Sequence, residues 1–551
     1  MNSGHRYFTA ACCAAYLLIG AAVWAQEADI ARPDGVPQDW SEHSIVFSLD
    51  GLTQHPELLY QERRVLHQVM QRFRGRSSNA LPGAESGMKF TDSAAESIQA
   101  LSHHRDWNVA LGKGHVSAEM YPAKWTFDPK AQPDCTKDYV VFGLATAGTA
   151  GAQANLVAFN NLYAGAGGFC ATGPSVLFAY SVSTAAGGKV VTSPVISLDG
   201  TKVAFVESLG TSSIFHVLTW TAGQGGILTA ATPTSMTSLT YSNAFGTTTS
   251  SPWIDYGSDT VYIADDNGVV HKITGVFKGT PTQVLSSPWP ITVAAGSRLS
   301  SPVLDAGRGI LLASGRNGDL YEINLTNGAV SVLIVGSHNS KGAALMVAPI
   351  VDVTNGTAFV VSANDGTSAV LVEADTTTLT QLAKARIGIG ATTGTTLYIY
   401  MPALNNAYYT SPSTGAIFVC GTGNGTDTSP WSYSFGFTGR TMLSAPASSN
   451  QLLTSKAASC SSWTEFFNPN IGANGTDFFF FGLTQDCTGS GTSGCVAART
   501  GTSATLTKAA VLGGPSGIVV DNYSTDGQAS SIYLTGEAVN NAYKFTQNGL
   551  Q

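Results

Sequence analysis

From about Tyr121 to the end of the chain, apolar residues come in short runs rich in Val, Ile, Phe and Tyr, separated by clusters of Gly, Asn, Asp, Ser and Thr. Such runs read as strands and the clusters as turns. The runs recur as units. Ser193-Pro194-Val195-Ile196 leads through Asp199-Gly200 to Val203-Ala204-Phe205-Val206, and Ser251-Pro252-Trp253-Ile254-Asp255 leads to Thr260-Val261-Tyr262-Ile263-Ala264. Ser301-Pro302-Val303-Leu304-Asp305 and Ala348-Pro349-Ile350-Val351-Asp352 open two more, and the four prolines stand 58, 50 and 47 residues apart. Asn267-Gly268, Asn317-Gly318 and Asp365-Gly366 follow the second runs, and such pairs are the strongest local hairpin signal because both turn residues must accept φ > 0. Weaker copies open at Pro122, Pro402, Trp463 and Pro515. A unit of this size cannot bury its own faces, so neighbours must stack, and strand-built repeats of about 40–50 residues are propeller blades. The pattern predicts an all-β fold, a β-propeller of seven or eight four-stranded blades over residues 121–551. Eight units are counted; seven blades result if the first and last share one.

Residues 26–120 carry a different period. Between Pro56 and Phe73, Leu59, Leu66, Val69, Met70 and Phe73 share one helical face with Arg and Gln opposite. A second helix is predicted from Ser93, with Glu96 completing a capping box, and Gly75 to Ser86 reads as the loop between them. The expectation is a short N-terminal helical extension that packs on the propeller or tethers it. Residues 1–25 hold His5 and Arg6, an Ala-rich apolar run from Tyr7 to Trp24, and Ala25 before the polar Gln26, the layout of a secretory signal. An exported protein is expected, periplasmic, cell-surface or extracellular. No transmembrane segment is expected after signal removal, since no later stretch reaches about 18 apolar residues.

Composition agrees with export. Charged residues make up 12% of the chain, about half the usual share, so the surface relies on hydroxyls and amides. A net charge of −8 argues against a nucleic-acid partner, which needs a basic stripe. Cys12 and Cys13 lie in the signal, leaving Cys135, Cys170, Cys420, Cys460, Cys487 and Cys495. An even number in an exported chain suggests disulfides. Proximity pairs Cys487 with Cys495, Cys135 with Cys170, and Cys420 with Cys460. Lacking CxxC spacing or nearby histidines, these cysteines predict no metal site.

The segment Ser301 to Gly328 resembles the repeat of the pyrroloquinoline-quinone-like propellers, a group that includes outer-membrane assembly lipoproteins and quinoprotein dehydrogenases. The segment Ser193 to Val206 resembles the repeat of TolB-type propellers. The resemblance spans roughly residues 120–550 and is clear in about four units. It implies the fold and leaves function open, because propellers host unrelated activities. In the catalytic quinoproteins it would imply an adjacent cysteine pair over the quinone, a calcium site with Glu, Asn and Asp ligands, and a Trp closing each repeat. Past the signal this chain has no adjacent cysteines and lacks the repeat Trp. No cofactor is predicted; pyrroloquinoline quinone or calcium would be the ones the family brings.

Candidate chemistry is sparse. His103 and His104, with His115 downstream, lack an HExxH pattern and read as a solvated helix end. Asp265-Asp266-Asn267-Gly268 lacks the spaced series and distal Glu of a calcium loop, and turn chemistry explains it. Gly421-Thr422-Gly423-Asn424-Gly425 follows a strand but leads into no helix, so it offers no phosphate site and reads as a blade-connecting loop. Asp199, Asp255, Asp305 and Asp352 recur at one repeat position, as turn or strand-end residues do. Trp253, Trp289, Trp431 and Tyr433 form either a glycan- or peptide-binding surface or inter-blade packing. No catalytic residue is assigned. The sequence favours a non-enzymatic scaffold for a protein or glycan ligand over an enzyme, whether a carboxylate hydrolase or lyase or a quinone-dependent oxidoreductase.

Overall fold

The computed structural model describes residues 35–48, 62, 64, 65, 68 and 103–547, the last range apart from 130, 166, 172, 243–247, 338–346, 392–399, 470, 473, 488–492, 502, 523, 525 and 527. Eight sheets form eight blades. The strands nearest the axis are Ala123–Thr126, Val195–Ile196, Trp253–Asp255, Val303–Asp305, Ile350–Asp352, Ala403–Leu404, Thr464–Asn468 and Val519–Asp521, one for each of blades 1 to 8. Inner strands of blades 1 and 2, 3 and 4, 4 and 5, 6 and 7, and 7 and 8 touch, and that of blade 8 returns to that of blade 1. Each unit counted in the sequence opens one blade.

Second strands are buried on both faces, because each blade is stacked between two others. Tyr139–Gly143, Thr260–Ala264, Ile310–Ser314 and Thr357–Ser362 are buried at every position, which is why they read as continuous apolar runs instead of alternating ones. The Asn-Gly pairs turn the second strand into the third: Gly268 and Gly318 take φ of 80° and 95°, values a Cβ would resist. Large rings fill the wedges between blades, as where Phe418 of blade 6 packs on Phe479 of blade 7 at 4.3 Å.

Closure uses both ends of the chain. Val519–Asp521, Ser531–Gly536 and Asn541–Gln547 supply three strands of blade 8, and His103–Ala110 adds as the outermost, antiparallel to Asn541–Gln547. The first and last parts of the propeller thus share one closing blade, and the count stays at eight. A buried ionic cluster sits at the seam. Lys124 Nζ of blade 1 lies 2.9 Å from Asp521 Oδ2 of blade 8 and 3.9 Å from Asp138. Tyr163 donates to Asp138 at 2.6 Å, and Lys544 pairs with Asp106 at 2.7 Å with both side chains fully buried. Burial pushes the Asp138 carboxyl above the ordinary carboxylate range against the pull of Lys124, and pushes the Lys544 ammonium down.

The expected helical extension over 26–120 differs in content. Val36–Gln38, Ile45–Val46 and His103–Ala110 are strands, each added to a propeller sheet. His103 and His104 therefore stand in a strand, not at a helix end. The segment lacks a β-branched run because its outer edge faces water, and pairing with the last strand decides its conformation. Arg64, Val65 and Gln68 are helical. Arg64 and Gln68, on the polar side opposite the apolar stripe, are 4% and 6% exposed, because both hydrogen-bond to the segment 41–47. The helix expected near Ser93 and the loop from Gly75 lie outside the described residues. Gly421–Gly425 belongs to a hairpin inside blade 6, between Ala416–Thr422 and Pro430–Thr438, and joins no two blades. Cys135–Cys170, Cys420–Cys460 and Cys487–Cys495 lie at Cα separations of 5.7, 6.3 and 5.8 Å, within the disulfide range.

Removing one partner of the seam cluster leaves a buried charge uncompensated. Lys124→Met is expected to cost about 3–5 kcal/mol in denaturant unfolding, and Lys124→Met with Asp521→Leu to recover part of it. An unchanged midpoint in the single variant would show that the seam does not depend on the pair.

Candidate functional site

A ring of sheets leaves an axial channel whose wall begins at the residues just before each inner strand. Here two adjacent hydroxyl residues do different work. The first ties strands within its blade: Thr192, Ser250, Ser300, Ser461 and Ser516 accept from the N–H groups of Val206, Ala264, Ser314, Gly482 and Thr535 on their second strands. The second ties blade to blade. Tyr121 N–H donates to Ser193 Oγ at 2.8 Å, Ser193 N–H to Ser251 Oγ at 2.8 Å, Ser251 N–H to Ser301 Oγ at 2.7 Å, and Met401 N–H to Ser462 Oγ at 3.3 Å. A Pro follows the hydroxyl pair in several units, fixing φ where no N–H is needed.

The channel is crossed by the chain itself. Val36–Gln38 pairs antiparallel with Lys124–Thr126 on the inner edge of blade 1. Asp39 then caps a short 3-10 turn, Trp40–His43, and Ile45–Val46 pairs in parallel with Val351–Asp352 of blade 5. Blades 1 and 5 are opposite in a ring of eight, so this strap spans the diameter. Its side chains reach other blades: Gln38 Nε2 donates to Val520 O at 2.9 Å, Trp40 Nε1 to Pro252 O at 3.1 Å, and Ser44 Oγ to Met401 Sδ at 3.5 Å. Trp40 packs edge-on against Trp253 at 5.6 Å, and His43 stacks on Tyr121 at 5.0 Å. Arg64 caps the arrangement, donating to Ser41 Oγ and Ile254 O at 2.9 Å each and lying 4.4 Å over the Trp253 ring. Burial pushes His43 down to about 4 and Glu42 well up.

Beside the strap a recess opens among blades 7, 8 and 1, lined by Glu119, Tyr400, Ser461, Ser462, Thr484, Ser516 and Glu537. Glu119 adopts φ 68°. Burial, then the charge of Glu537, raises its carboxyl to about 8, and burial raises Glu537 to about 7. Both keep part of their surface accessible while protein walls them on most sides. Such a pair holds protons near neutral pH and could exchange them with a ligand.

The residues singled out in the sequence do not converge. Asp199 and Asp255 cap their own turns. Asp305 binds Arg308, which reaches Val353 O of blade 5, and Asp352 accepts from Tyr408 of blade 6. The recurrent aspartates thus shape turns or fasten one blade to the next. Asp265 accepts from the N–H groups of Asn267 and Val269, while Asp266 pairs with Arg298 at 3.2 Å. Trp253 packs on the strap, Trp289 on Tyr262, Trp431 donates to Asp427, and Tyr433 to Thr422 O; they form no common surface. His115 lies 2.9 Å from Asn540. Two buried histidines were not legible: His216 bridges Glu207 and Ser238 at 2.9 Å each, and His271 bridges Asp265 at 3.1 Å and Gln283 at 2.9 Å. Ser238, His216 and Glu207 form a hydroxyl, imidazole and carboxylate chain, but blade 3 repeats it with Gln283 in place of Ser and Asp265 in place of Glu, marking it as blade architecture. Among the described residues, no three His, Cys, Asp or Glu side chains gather as a metal site. The residues do not fit the quinone site that the family resemblance implies, since the cysteines stand as three separate pairs and the strap occupies the axis.

No family model matches the chain, and no curated protein matches it in sequence. Solved structures that resemble it include BamB from Moraxella catarrhalis (13% identity, 81% of this chain and 98% of that one, TM-score 0.42). The Saccharomyces cerevisiae protein Sqt1 matches at 9% identity over 81% and 99%, TM-score 0.46. The WD40 domain of Toxoplasma gondii coronin matches at 11% identity over 63% and 79%, TM-score 0.36.

Two outcomes follow from this geometry. Ser251→Ala strips the buried Ser193 N–H of its acceptor and is expected to lower stability by about 1–3 kcal/mol, read from the denaturant midpoint; no change would show the hydroxyl relay to be dispensable. Glu119 and Glu537 have folded values above their ordinary 4.5, so the folded state binds more protons than the unfolded one between about pH 5 and 8. Their contribution is full at lower pH and is lost as pH rises through that window. Thermal midpoints measured from pH 5 to 9 should fall, and Glu119→Gln should flatten the decline.

Proposed function

We propose that this chain is an exported, non-enzymatic β-propeller that acts as an interaction scaffold, binding a protein or glycan through its loop faces. The observation that carries this reading is the strap. The axial channel, where a propeller would hold a small substrate, is taken up by Trp40, His43 and their partners, which leaves the loops between strands as the open surface. Export is supported by three cysteine pairs at disulfide distance, an arrangement suited to an oxidising compartment. No cofactor is assigned.

A second reading, a carboxylate-dependent hydrolase or lyase, draws on the raised Glu119–Glu537 pair in its hydroxyl-lined recess. One experiment separates the two. The intact protein is titrated calorimetrically against envelope proteins and a panel of polysaccharides, while reducing ends and unsaturated uronates are followed in the same mixtures. Saturable binding without turnover is expected. Turnover abolished by Glu119→Gln would overturn the scaffold reading.

A further inference from the structure

The outer edges of the blades differ in chemistry. On blade 2 the exposed positions are Thr237, Ser238 and Thr240; on blade 5 Thr380, Gln381, Lys384 and Arg386; on blade 6 Ser449 and Gln451. Blade 4 departs from this. Its outermost strand, Val330–Ile334, turns Val330, Val332 and Ile334 to solvent at 37%, 54% and 61% exposure. No other outer strand among the described residues exposes a large apolar side chain. From Thr326 to Ser337 there is no charged residue. Sheet edges are ordinarily blunted by charge or Pro against pairing with another chain, and this edge carries neither.

The backbone agrees with the side chains. Asn324 N–H donates to Ala329 O and Val335 N–H to Gly318 O, so those pairs are the hydrogen-bonded ones with the neighbouring strand Asp319–Asn324. Antiparallel bonding alternates, which assigns Ser331 and Leu333 to the inner ladder. Val330, Val332 and Ile334 then point both N–H and C=O outward. The residues whose backbone groups have no partner among the described residues are those with exposed apolar side chains.

We infer that this edge pairs with the same edge of a second copy. The strand is self-complementary about Val332: antiparallel pairing sets Val332 opposite Val332 and Val330 opposite Ile334, each pair exchanging two backbone bonds, in a two-fold isologous contact. An uncharged strand meets no like charge in its copy. Because blades radiate from the axis, the free edge points away from it and two molecules meet rim to rim without obstructing either loop face. The contact is five residues long and far below a standard interface of about 1,600 Å², so association is concentration-dependent.

Sedimentation equilibrium of the full chain tests this. The weight-average mass is expected to rise with concentration towards twice the monomer. Val332→Lys and Val332→Pro should each weaken association by about tenfold or more, with unchanged thermal midpoints. Ser331→Lys, on the opposite face and bonded within the blade, should leave it intact. A wild-type chain that stays monomeric throughout, or a dimer that persists in both Val332 variants, overturns the inference.

Discussion

Sheets that radiate from a common axis cannot all meet on it, and the hole they leave sets the terms for the rest of this molecule. Around the hole, backbone N–H groups just before several inner strands face the next blade without a ladder partner there. Unpaired, each would cost about as much as a lost hydrogen bond. The chain answers with hydroxyls. Ser193, Ser251, Ser301 and Ser462 each accept from the blade before, while the hydroxyl one residue earlier, or Ser516 in blade 8, fastens strand to strand. The low charge and abundance of Ser and Thr, which in the sequence suggested only a secreted β-protein, have a specific use at the axis.

Hydroxyls line the hole but do not fill it, and filling it falls to the strap. A segment that bonds blade 1 at one end and blade 5 at the other fixes the diameter of the ring. Trp40, Gln38 and Ser44 then register blades 3, 8 and 6 to it. The same logic places charge where blade 8, assembled from the first and last parts of the propeller, meets blade 1. A non-directional apolar contact would let the closing blade slide. Lys124 between Asp521 and Asp138, with Tyr163 donating, has one satisfied geometry, and a buried ion pair contributes that kind of specificity more readily than it contributes stability.

The repeat was legible because a propeller blade is a local object. Hairpin turns at Gly268 and Gly318, and buried second strands such as Ile310–Ser314, write themselves into contiguous sequence. What was not legible depends on contacts hundreds of residues apart. Val36–Gln38 and Ile45–Val46 are too short for any periodic signal and become strands only because blade edges are present to receive them. His103–Ala110 is strand-like only beside Asn541–Gln547. Arg64 and Gln68 sit opposite the apolar stripe of a predicted helix, yet both are buried, because the strap offers them Ser41, Ile45 and Phe47 as partners. By their recurrence the aspartates of the repeat read as turn or strand-end residues, and Asp199 and Asp255 do cap their own turns. That argument could not see which of them, such as Asp352 with Tyr408, fasten neighbouring blades.

The strap occupies the axis, and the outer surface is uneven in a way that composition conceals. Most outer edges carry Ser, Thr, Lys or Arg, residues that stop a strand from recruiting another. Stability does not explain why blade 4 omits them, since Val332 at 54% exposure adds little to the core and exposes the chain to unwanted pairing. An apolar residue at a free edge persists without penalty only if something covers it part of the time. The strapped axis and the uncharged edge on blade 4 are therefore linked in the scaffold reading: the strap fills the axis, and the edge is the place on the rim where the proposed pairing would cover Val330, Val332 and Ile334.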